Sequence, residues 1–167
     1  MLTVAEIDDQ ISHSWRILSS SPRSYPWRSL HLQVLASLYN NRCSQSGQKE
    51  DLNRSILYST EAVFVASYSD TVDEDTVRCF YFLAIALRNR LLQFKQSSDA
   101  QPCIEYFRYL ESQLLEPCGI SSDQVRVYLL AALASQVMLG IGDMTRAASA
   151  LTSSRQYGEH RFCSREW

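Results

Sequence analysis

Glycine and proline are scarce in this chain, with only 5 and 4 among 167 residues. Turn-rich β folds and low-complexity disorder both need more of them, so their shortage favours long helices. Charge of one sign is also missing. Lys and Arg number 16 against 18 Asp and Glu, a formal net charge of -2, so the basic stripe that nucleic-acid binding needs is not there. No run approaches the roughly 18 apolar residues of a membrane span. The most apolar stretch, around Leu83, is cut by Arg78, Arg88 and Arg90. The first residues carry Glu6, Asp8 and Asp9 where an export signal would carry a basic stretch and then an apolar run. These features predict a soluble, cytoplasmic protein with no membrane or nucleic-acid partner.

Chemistry-bearing residues are sparse and scattered. The glycines, at 47, 119, 140, 142 and 158, form no phosphate-binding loop. Cys43, Cys79, Cys103, Cys118 and Cys163 are odd in number, irregularly spaced and without a CxxC pair, which reads as reduced thiols used as small packing residues. His13, His31 and His160 fall on different segments. His160 and Cys163 could share a metal ion, but a structural zinc needs about four ligands and no second pair is evident. Asp70, Asp73, Glu74 and Asp75 lack the glycine and the later glutamate of a calcium loop, so they read as a helix boundary. The expectation is a non-enzyme with no cofactor and no metal.

What the chain does contain is a repeat, the feature to seek before any motif. Val77-Arg78 recurs as Val125-Arg126, and Leu83-Ala84-Ile85-Ala86 recurs as Ala131-Ala132-Leu133-Ala134, an offset of 48 residues. The same offset places Leu35-Ala36-Ser37-Leu38 on Leu83-Ala84-Ile85-Ala86, and Asn41-Arg42 on Asn89-Arg90. Between these segments Asp51 matches Asp99, Ile56 matches Ile104 and Tyr58 matches Tyr106. Each unit therefore holds two helices.

Apolar periodicity and stop signals predict helices near 3–20, 28–44, 50–68, 72–95, 99–115, 122–139 and 143–155. Thr3 and Glu6 have capping-box spacing, and Val4, Ile7, Ile11, Trp15 and Leu18 recur at three and four. Pro22 and Pro26 break the pattern before Trp27. Asp51 and Asp99 are expected to cap their helices. Ala36, Ala84, Ala86, Ala131, Ala132 and Ala134 are expected where helices approach closely. Gly140 and Gly142 provide a stop, after which Asp143 can cap a further helix. Phe82 and Phe107 are expected in the core.

The predicted fold is all-α: a short right-handed α-solenoid of about three helical hairpins, with a repeat domain over 1–155 and an irregular or truncated tail over 156–167. The stretch from Arg42 to Ile56, with its Gly47 and its Glu50-Asp51-Leu52, followed by Glu61-Ala62, resembles tetratricopeptide-like repeats abundant in mushroom-forming fungi. Leu83 to Arg90 and Cys103 to Leu110 are similar to the next elements of the same family, and the resemblance spans roughly residues 28–150. It departs from the common tetratricopeptide pattern in its 48-residue unit and in lacking a regular Trp/Gly/Tyr/Ala/Pro signature. The resemblance implies a protein–protein interaction scaffold. Because such fungal repeats often precede a caspase-like peptidase module, it also implies an alternative, a regulatory arm of a larger enzyme. Tyr58 and Tyr106, at equivalent repeat positions, are the candidate contacts to a protein or peptide partner, with burial in the core as the competing reading.

Overall fold

A computed structural model describes residues 2–25, 27–68, 73–113 and 119–140. Among the described residues six α-helices follow one another: α1 Val4–Ser20, α2 Arg28–Ser46, α3 Lys49–Ala66, α4 Glu74–Phe94, α5 Ala100–Glu111 and α6 Ser122–Met138. A short 3-10 turn, Ser97–Asp99, leads into α5, and there is no strand among the described residues. The protein is all-α. The expected helix at 143–155, the tail, and the readings placed on Asp70, Cys118, Gly142, Asp143, His160 and Cys163 lie outside the described residues.

Local signals account for the helix ends. The Thr3 hydroxyl accepts from the Glu6 amide at 3.3 Å while the Thr3 amide donates to the Glu6 carboxylate at 2.7 Å, closing a capping box on α1. Asp73 caps α4 by accepting from the Thr76 amide at 2.8 Å, which holds its carboxyl below the ordinary aspartate range. α2 stops at Gly47, whose φ of 70° is the left-handed conformation that a residue without Cβ adopts freely. The same conformation recurs 48 residues on at Lys95, φ 55°, where the side chain makes it costlier.

Each helix packs on the next in sequence, most extensively α2 on α3, and α2, α4 and α6 also touch in succession. Ala36, Ala84 and Ala132, one per unit, are all buried, as the repeat requires of positions where helices approach closely. Ala134 departs from this expectation: it is exposed on α6, and Ala131 is only half-buried. Phe107 is fully buried, whereas Phe82 is half-buried at the edge of Tyr81.

The core forms two adjoining clusters. One gathers residues such as Ile7 and Ile11 of α1, Leu35 and Tyr39 of α2, and Tyr58 and Ala62 of α3. The other gathers Leu83 and Ala84 of α4, Ile104 and Phe107 of α5, and Val125 and Leu133 of α6. Val63 packs against both, so α3 joins them. Complete burial of side chains such as Ile7, Leu91 and Phe107 contributes about 1.5–3 kcal/mol each.

Asp51 and Asp99 do not cap. Gln48 occupies the N-cap of α3 without a side-chain bond, and Asp99 makes no cap bond to α5. Both carboxylates are buried and instead take a guanidinium fork. Arg42 Nε and Nη2 donate to Asp51 at 3.1 and 2.6 Å, and Arg90 Nε and Nη2 donate to Asp99 at 2.7 Å each. The third arm reaches back to an earlier helix: Arg42 Nη1 to Asp8 of α1, and Arg90 Nη1 to Asn53 of α3 at 2.7 Å. Each arginine therefore ties three helices together. A second bond also repeats, since Ser55 Oγ donates to the Ala36 carbonyl at 2.8 Å and Cys103 Sγ to that of Ala84 at 3.7 Å.

Candidate interaction face

Cys43, Cys79 and Cys103 are buried free thiols, and burial pushes Cys79 and Cys103 up to about 12, which keeps them protonated and unreactive at neutral pH. Among the described residues no group of three or more His, Cys, Asp and Glu could hold a metal ion. No helix there is long and apolar enough to cross a membrane. His31 stacks on Tyr25 with ring centroids 5.9 Å apart. His13 lines an open pocket of about 380 Å³ between α1 and α2, with Asp9, Gln10, Ser14, Val34 and Leu38.

The two tyrosines selected from the repeat sit mostly against other side chains. Tyr58 is 9% exposed, stacked on Tyr39 at 5.6 Å and met edge-on by Trp15 at 5.8 Å. Burial raises the pKa of its phenol above the ordinary tyrosine value. Tyr106 is half-buried against the second core cluster, with its ring 5.6 Å from that of Phe80. The two positions share a repeat register but differ in burial, and Tyr58 has little surface to offer a partner.

The exposed apolar surface of α3 lies elsewhere. Leu57, Phe64 and Tyr68 are 62%, 63% and 75% exposed. Leu57 and Phe64, seven residues apart, share one face of the helix, and Tyr68 follows just beyond its end. Phe64 and Tyr68 meet edge to face at 5.0 Å. The repeat shows how unusual this is: the positions of Leu57 and Phe64 are held by Asp9 and Arg16 in α1, and by Glu105 in α5 and Ser112 at its C-terminal end. All four of those residues are exposed too, so this pair of repeat positions faces solvent in each unit and is apolar only in the middle one. Similarity between units directs attention to Tyr58 and Tyr106; the difference between units at Leu57 and Phe64 is the sequence signal that picks out this surface.

Ion pairs and hydrogen bonds tie α3, which carries this face, to its neighbours. Arg42 ties α1 and α3 across α2, and Arg90 ties α3 to the start of α5 across α4. Arg28 of α2 adds an ion pair at 2.8 Å to Glu61, which lies between Leu57 and Phe64 along α3. No known family model, curated protein sequence or solved structure matches the chain.

Proposed function

We propose that this protein is a protein–protein interaction scaffold without catalytic activity of its own, built as a short right-handed α-solenoid of about three hairpins of the tetratricopeptide-like kind. The observation that carries the reading is the exposed apolar stripe of Leu57 and Phe64 on α3, continued by Tyr68 just beyond the helix end. Large apolar side chains at helical spacing, rimmed by charged residues, cost solubility unless another macromolecule covers them, and aromatics are the usual anchors of such contacts. Support for the stacked arrangement comes from the recurring Arg42–Asp51 and Arg90–Asp99 forks and from the succession of contacts among α2, α4 and α6. The buried free thiols support a reducing, cytoplasmic setting.

The test is affinity capture from the source cell with the wild-type chain and with Phe64→Ser, followed by mass spectrometry. Phe64 is exposed, so the variant should melt like the wild type and lose the partner. An unchanged set of captured proteins would refute α3 as the binding face.

A further inference from the structure

What could cover the α3 face is constrained by the charges on either side of it. The repeat positions equivalent to Leu57 hold two exposed carboxylates, Asp9 of α1 and Glu105 of α5. Those equivalent to Phe64, seven residues and so about 10.5 Å further along, hold the guanidinium of Arg16 and the hydroxyl of Ser112, both exposed. Among the described residues neither Asp9 nor Arg16 has an ion-pair partner. A partner of uniform charge would satisfy one row and be repelled by the other. The matching surface is apolar in the middle, positive opposite Asp9 and negative opposite Arg16.

The same face turned end to end has that pattern. We propose that a second copy of this chain docks here about a two-fold axis, with its α3 running antiparallel to the first, an inference that rests on reading this face as an interaction surface. With the axis crossing α3 near Thr60 and Glu61, Leu57 of each copy meets Phe64 of the other. The two α1 helices then lie opposite one another, and Asp9 of each faces Arg16 of the other, giving two symmetric ion pairs. Glu105 falls opposite Ser112, and Arg108 comes near the axis one turn from Glu105 of the other copy, which offsets its charge. The contact is isologous and closes on itself, so it ends at a dimer. The polar residues that α1 and α5 place beside Leu57 and Phe64 thereby become the rim of an apolar centre.

The experiment is sedimentation velocity on the full chain over a range of concentrations, with circular dichroism to confirm that each variant keeps its helices. The wild type should pass from monomer to dimer as concentration rises, and Phe64→Glu should remain a monomer. Asp9→Arg and Arg16→Asp should each weaken association about tenfold by placing like charges opposite one another twice. The double variant carrying both should recover the wild-type dimer, because the charges are exchanged and the pairing restored. A wild type that stays monomeric up to its solubility limit, a dimer that survives Phe64→Glu, or a double variant no better than the singles overturns the proposal. If the chain is monomeric and Phe64→Ser still abolishes capture of another protein, the self-association fails while the scaffold reading stands.

Discussion

Replacing Arg90 by alanine should be among the most damaging single changes in this protein, although Arg90 is itself neither core nor wholly hidden. Its side chain is 19% exposed, but that of its partner Asp99 is only 4% exposed, so the variant strands a carboxylate where water reaches it poorly. Two charge-assisted bonds of 2.7 Å disappear with it, along with the 2.7 Å bond to Asn53 that ties α4 to α3. Removing one partner of a buried pair costs about 3–5 kcal/mol, most of it the penalty of the charge left behind. For a chain of this length that lowers the melting temperature by roughly 10 °C. Thermal and denaturant unfolding followed by circular dichroism would measure it. Adding Asp99→Ala removes the stranded charge and should restore about 1 kcal/mol or more relative to the single variant. Arg90→Lys keeps the charge without the fork and should fall between wild type and Arg90→Ala. A loss below about 1 kcal/mol for Arg90→Ala would falsify this reasoning, because it would place the pair among solvated surface bridges.

Three further outcomes test other parts of the structure. Ala84→Leu inserts a larger side chain at a fully buried position beside Cys103 and should cost about 1–3 kcal/mol through overpacking; a neutral melt would mean that the helices do not approach closely there. Tyr58→Ala removes a ring stacked on Tyr39 and touched by Trp15, so it should cost about 3 kcal/mol, and a variant as stable as the wild type would return Tyr58 to the surface. Asp73→Ala should cost about 1 kcal/mol at neutral pH through loss of the α4 cap. Because the folded-state pKa of Asp73 lies below its unfolded value near 3.8, the cap's contribution is present above that pH and is lost as pH falls through the folded value, so the two stability curves should converge on acidification. Curves that stay parallel would assign the cost to something other than the carboxylate.

The helices and their repeat were legible in the residues because the signals are local. Thr3 and Glu6 close the first turn of α1, Pro22 interrupts the chain before α2, and Gly47 takes the backbone conformation that ends α2. The 48-residue register places Ala36, Ala84 and Ala132 at matching positions, and all three are buried, since equal sequence at equal spacing makes equal contacts. The partners of Asp51 and Asp99 were harder to read. A carboxylate in the first turn of a helix satisfies the helix dipole whether or not it is paired. Only the packing of α2 on α3 and of α4 on α5 brings the forks of Arg42 and Arg90 onto these carboxylates.

The candidate face depended on tertiary structure more than any other feature. Leu57 and Tyr58 are neighbours in sequence, both large and largely apolar, and about 100° apart around the helix axis. Periodicity alone treats them as interchangeable members of one broad stripe. Helices α1 and α2 cover one side of α3 and not the other, so Trp15 and Tyr39 close over Tyr58 while Leu57 and Phe64 are left to solvent. Which of two adjacent side chains becomes core and which becomes surface is set by where neighbouring helices lie, and that is a property of the assembled fold.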